Sequence, residues 1–224
     1  MVKGSNFMIM SKISKNYIKL SLIVSLFSIS HASIEVVMVD PKGEYASIDV
    51  KKSFDAYLIL RGRADGDKAN TAMEVDKNPG NHTPYTLMAL GLYYISVKEF
   101  DKAATYIRGS VFRAIVDVKA SNDPSLGDVV PTMCDSIHNA ISQTLDKDEI
   151  KKLTDALVRA TKELISWDKK TPRNYDVRWA SLHSSGAFTG QALNYASPKE
   201  YQKIIEEEYK QFKEGARLDG INVD

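Results

Sequence analysis

The chain has 224 residues, a formal charge of +1 and 43% hydrophobic residues. That length suits a single domain with a substantial core. The near-balanced charge, with no basic tract beyond Lys19, speaks against a nucleic-acid partner, and the lone Cys134 allows no internal disulfide.

Residues 1–32 read as a secretory signal. Lys12, Lys15 and Lys19 precede the apolar run 20–29, and Ser30-His31-Ala32 places small residues before Ser33. The apolar run is short for a membrane span. The expected mature chain is therefore periplasmic or secreted, with no stable membrane insertion after cleavage. Cleavage removes four lysines and no acids, which turns +1 into −3.

Residues 33–50 predict a small β-hairpin. Ile34 to Val39 is rich in β-branched residues, and Asp40-Pro41-Lys42-Gly43 fits a type I turn. A short helix follows, capped by Ser53 and carrying Phe54, Tyr57 and Leu58, and Gly62 stops it. Residues 62–81 are polar and predict a long loop of the kind that carries function. Within it, Asp65-Gly66-Asp67 lacks the later ligands of a calcium loop. No metal site is expected there.

The sharpest pattern lies in residues 84–112. Thr83-Pro84 opens a helix. Leu87, Leu90, Gly91 and Tyr94 share one face of it. A second helix starts at Phe100, with Ala103, Ala104, Ile107, Val111 and Ala114 on one face. Glycine is costly inside a helix, so Gly91 marks a close crossing with Ala103. The order Leu87, Leu90-Gly91, Tyr94, Phe100, Ala103 resembles one tetratricopeptide or Sel1-like repeat. The resemblance covers about thirty residues; Leu87 stands where that pattern has Trp, and its closing Pro is missing. It implies a helical hairpin of a kind that usually binds peptides or proteins.

Ser121-Asn122-Asp123-Pro124 ends the second helix. A third begins near Asp128, with Val129, Met133, Ile137, Ile141 and Leu145 in its stripe. Asp146 or Asp148 caps a fourth, striped by Ile150, Leu153, Leu157, Ala160, Leu164 and Trp167. Residues 172–197 have no clean period and predict an irregular segment. Ser197-Pro198-Lys199-Glu200 is a capping box, opening a last helix that ends at Gly215. No second repeat follows the first. The expected fold is thus mainly α, a helical bundle built around one hairpin, with residues 33–224 as a single domain.

Motifs for catalysis are missing: no zincin, phosphate-binding glycine loop or nucleophile elbow occurs. Cys134 and His138 share a helix face, and the expected role of both is packing. His82, at a helix start, is expected to point into water. No cofactor, no metal and no catalytic residue is expected. Arg173, Tyr175, Arg178 and Trp179 combine the residue types that anchor protein interfaces. With Asp65 and Asp67 of the 62–81 loop, they are the expected partner-binding residues. The chain as a whole is similar in character to small exported bacterial immunity proteins, which implies a toxin or effector as partner. An envelope-acting hydrolase and a small-ligand carrier are the alternatives.

Overall fold

The computed structural model describes residues 40–223, which are mainly helical and contain no strand. Helix α1 is Lys51–Leu60 and α2 is Lys68–Lys77. Two expectations change here. Ser53 does not cap α1; it lies inside the helix and is buried, bonding the hydroxyls of Thr83 and Thr86 at 3.0 and 2.8 Å. The polar 62–81 stretch is largely ordered as α2. Asp67 caps it by accepting from the Ala69 and Asn70 N–H groups at 2.8 and 3.1 Å. Ala72 and Val75, three residues apart, supply its buried face, a stripe too short to stand out in a polar sequence.

Helices α3 (Pro84–Ser96) and α4 (Phe100–Ala120) pair in antiparallel fashion around the turn Val97, Lys98, Glu99. Pro84 sits in the first turn of α3, where its missing N–H would have no helical partner. The close crossing is real. A Cβ added to Gly91 would lie 3.0 Å from Ile107 Cγ1 and 3.2 Å from the Ala103 carbonyl oxygen.

Asp123 caps a 3₁₀ turn, Pro124–Asp128, that leads into α5 (Val129–Thr144). Helix α6 (Lys147–Lys170) opens with the Asp146–Glu149 capping box. Helix α7 (Pro198–Leu218) opens with the Ser197–Glu200 box and runs past Gly215. Between α6 and α7 the chain forms a 3₁₀ segment, Val177–His183, and one helical turn, Gly186–Thr189.

Helix α4 is the centre, packing against α3, α5, α6, α7 and the 177–183 segment. Leu87, Leu90, Ile107, Met133 and Ile137 are fully buried around it, each side chain contributing about 1.5–3 kcal/mol of transfer free energy. A second apolar cluster, Phe112, Val116, Leu164, Ile165, Ile205 and Tyr209, seats α7.

The signal segment and the first strand of the expected β-hairpin lie outside the described residues. The expected second strand does not form. Gly43–Ser47 is a 3₁₀ turn that starts at φ +59. Tyr45 and Ile48 pack with Ala187 instead, and the Lys42 N–H donates to the Ala187 carbonyl at 2.8 Å. Burial of these side chains in the bundle, rather than ladder pairing, holds the segment.

Candidate binding site

Four residues of α4, namely Tyr106, Gly109, Arg113 and Asp117, recur at spacings of three and four and are all buried. They therefore lie along one face. At its middle, Gly109 makes room for an aromatic ring: a Cβ there would come within 2.4 Å of Trp167 Cζ3. That ring lies under the Arg113 guanidinium, 4.7 Å from its centroid, and meets Tyr106 edge-on.

Neither Arg113 nor Asp168 has any exposed side-chain surface. Arg113 Nε donates to Asp168 Oδ1 at 2.7 Å, and Nη2 donates to the Thr171 carbonyl. Asp168 Oδ2 accepts from the Tyr209 hydroxyl at 2.7 Å and forms an ion pair with Arg173 Nη2 at 2.9 Å. One helical turn beyond Arg113, Asp117 is also fully buried. Its Oδ2 accepts from Tyr175 at 2.9 Å and from Trp179 Nε1 at 2.7 Å, and its Oδ1 from Tyr201 at 2.5 Å. Burial pushes the Asp117 carboxyl up to about 6, against the opposing pull of Tyr201, Arg173, Trp179 and Tyr175. Burial likewise raises the hydroxyls of Tyr175, Tyr201 and Tyr209, and the neighbouring carboxylates raise them further. Burial alone would weaken the Arg173 cation; its neighbours Tyr175, Asp168, Tyr201 and Asp117 outweigh that and hold it charged.

The 171–176 loop is pinned from the α2–α3 side. The Asn174 N–H donates to the Gly80 carbonyl at 2.8 Å, and Asn174 Nδ2 donates to Asn81 Oδ1 at 3.1 Å. Only glycine fits at position 80, where a Cβ would lie 2.2 Å from the Pro172 carbonyl. From the other side α7 brings Tyr201 and Tyr209, two turns apart, onto the two buried carboxylates. Tyr209 stacks on Phe112 with centroids 5.4 Å apart, and Glu208 pairs with Lys119. Between this loop and α7 a cleft of about 340 Å³ opens, lined by Asp168, Lys169, Arg173, Tyr201, Gln202 and Tyr209 among others.

The expected partner-binding residues separate into four groups. Tyr175 and Trp179 are 8% and 3% exposed and serve as donors to Asp117, so neither is the surface anchor their types suggested. Arg178 is half-buried, held by Asp176 at 2.6 Å and bonded to Ser47 Oγ at 3.3 Å. Its fork ties the 43–47 turn to the 177–183 segment. Arg173 alone reaches the cleft wall. Asp65 is exposed in the turn between α1 and α2, and Asp67 caps α2; neither belongs to the cluster. Arg113, Asp117 and Asp168 were not singled out from sequence, and Tyr201 and Tyr209 were read there only as part of the last helix's packing stripe. The available signal was Arg113 and Asp117 one turn apart on the buried face of α4, where ionised residues need partners.

His82 is 5% exposed rather than pointing into water. Burial, with Lys52 nearby, pushes its imidazole down to about 4. Cys134 is half-buried, and burial pushes its thiol up, the opposite of an activated thiolate. Among the described residues no group of three His, Cys, Asp or Glu side chains is placed to hold a metal ion.

The carboxylates of the cluster are occupied by donors, whereas its cations are not fully used. Arg113 Nη1 and Arg173 Nε are buried without a hydrogen-bond partner, while Arg173 Nη2 is taken up by its ion pair with Asp168. Comparisons of the chain with protein-family models, with curated proteins and with solved structures each returned no match.

Proposed function

We propose that the protein is an exported, non-catalytic binding module that captures a protein partner in the cleft between the 169–173 segment and α7. The observation that carries this reading is Arg173 in the cleft wall, nine-tenths buried, with Asp168 beside it. Tyrosine and arginine in semi-enclosed pockets are the residue types that dominate interface energies. Here Arg173 stands next to Tyr201 and Tyr209, on a scaffold stiffened by two buried carboxylates.

The helical hairpin α3–α4, with its resemblance to a single tetratricopeptide or Sel1-like repeat, supports a binding role. An immunity-type protein that neutralises a delivered toxin is the concrete form of this proposal. Capture of envelope or delivered proteins on the purified chain, followed by affinity measurement on variants, tests it. Arg173→Ala and Lys169→Ala are expected to weaken the complex by at least about 1 kcal/mol each, with helicity unchanged. Turnover of envelope material by the purified protein, or a complex indifferent to both substitutions, would overturn it.

A further inference from the structure

We infer that the pocket between the end of α4 and residues 191–194 takes a small primary amine carrying a hydroxyl, with Asp123 receiving the ammonium and Ser181 the hydroxyl. This pocket shares no lining residue with the cleft assigned above to a protein partner.

The pocket is built where α4 stops. Ser121 follows the last residue of α4, and Asn122 turns the chain at φ +49. Asp123 then caps the 3₁₀ turn by accepting from the Ser125 N–H at 2.9 Å. Two bonds hold residues 191–194 opposite: the Ala196 N–H donates to the Ala120 carbonyl at 2.8 Å, and the Leu193 N–H donates to Glu44 at 2.9 Å. Tyr45 also lines the pocket. Its hydroxyl lies 2.5 Å from where a Cβ at Gly186 would stand, so glycine there makes room for it. The volume is about 160 Å³, against about 300 Å³ at the lower end for drug-sized ligands. A ligand of a few heavy atoms suits it.

Charge selects the ammonium. Asp123 is the only charged residue in the lining, and among the described residues no ion pair includes it. Burial alone would raise its carboxyl; the contacts with Ser125 outweigh that and hold it below its ordinary value. Behind the opposite wall, Glu44 and Lys42 carry opposite charges, so that side adds no net positive charge. The Ser121 hydroxyl gives its proton to the Val118 carbonyl at 2.6 Å and therefore meets any other group as an acceptor. A carboxylate and a committed hydroxyl fit an ammonium, which only donates. An anion would meet no cation in the lining.

Ser181 selects the hydroxyl. It is 2% exposed, it lines the pocket, and its Oγ makes no hydrogen bond. A buried hydroxyl left unpaired is costly. A ligand hydroxyl can both donate to it and accept from it, whereas a methyl can do neither.

The test titrates the purified protein, at constant ionic strength, with ethanolammonium, ethylammonium, ethylene glycol and acetate. The side-chain amide resonances of Gln191 and Asn194, both exposed at the pocket, are followed by NMR. Ethanolammonium is expected to shift them saturably with a Kd of about 1–30 mM, near the limit for so small a ligand. Ethylammonium is expected to bind about twofold to tenfold more weakly, and the glycol and acetate not at all. Asp123→Asn keeps a capping residue and is expected to weaken ethanolammonium about tenfold or more. Ser181→Ala is expected to bring ethanolammonium to the affinity of ethylammonium and to leave ethylammonium unmoved.

No saturable shift by either amine up to about 100 mM would overturn the assignment, and so would glycol or acetate binding as tight as ethanolammonium. Equal affinities for the two amines, or binding indifferent to Asp123→Asn, would also overturn it. N-acetyl-lysine amide binding more tightly than ethanolammonium would replace the free amine with a lysine side chain of another protein.

Discussion

Arg113 Nε and Asp168 Oδ1 meet at 2.7 Å, with neither side chain exposed. The pair joins the middle of α4 to the last turn of α6, beside the cleft. Arg113 rests on Trp167 and closes the end of α6 through the Thr171 carbonyl. Asp168 in turn fixes Tyr209 of α7.

Removing one partner strands a charge in the interior. Asp168→Ala and Arg113→Ala are each expected to lose about 3–5 kcal/mol in urea denaturation. A joint Arg113→Met and Asp168→Leu replacement removes the desolvation cost of the pair but leaves Arg173 and the Tyr209 hydroxyl without Asp168 as acceptor, so it is expected to recover little of that loss. A double variant as stable as the wild type would show that Arg173 and Tyr209 do not depend on Asp168.

Two glycines are expected to resist any side chain for steric reasons. Gly91→Leu overpacks the α3–α4 crossing and is expected to cost about 1–3 kcal/mol. Gly109→Ala drives a methyl into Trp167 and is expected to cost a similar amount, about 1–3 kcal/mol, although alanine favours helix. Adding Trp167→Leu is expected to relieve the Gly109→Ala penalty. Thermal melting of the three variants checks both contacts.

Two buried groups are expected to tilt stability with pH in opposite directions. Asp117 is raised to about 6 against an unfolded value near 3.9. Its contribution is fully present below about 3.9 and is lost as pH rises through about 6. His82 is lowered to about 4 against about 6.5 unfolded. Its contribution is present above about 6.5 and is lost as pH falls through about 4. Each difference corresponds to roughly 3 kcal/mol, so the two slopes largely cancel between pH 4 and 7. Denaturation measured across that range should show stability falling with acid in Asp117→Asn and rising with acid in His82→Leu. Asn at 117 also turns an amide toward hydroxyl and indole donors, so its stability at every pH is expected to fall.

The start of the mature chain is a separate expectation. Protein recovered from the host's periplasm or medium should begin near Ser33, which intact-mass measurement decides. A soluble cytoplasmic chain that retains residues 1–32 would contradict the export reading.

Much of the helical layout was legible in sequence because its determinants are local. The Ser197–Glu200 capping box, an aspartate cap at 146 or 148, Pro84 in a first turn and stripes such as Val129, Met133, Ile137 all act within one or two turns. Gly91 was legible for the same reason: a glycine inside an otherwise strong helical pattern signals a neighbouring helix, and Ala103 was the nearest small residue on the facing helix. Helix α2 was missed because its stripe of Ala72 and Val75 is too brief to rise above a polar background.

The site was decided by tertiary packing. Arg113 and Asp168 are 55 residues apart, and Asp117 and Tyr201 are 84 apart. No local rule couples residues so distant, because a charge's partner depends on which helices pack and in what rotation. Residue types alone suggested that Tyr175 and Trp179 face a partner. Burial of Asp117 turned both inward, since a carboxylate enclosed in the core draws whatever donors can reach it. The same packing left Arg173 at the edge of the cluster, the one member of the expected set that lines the cleft.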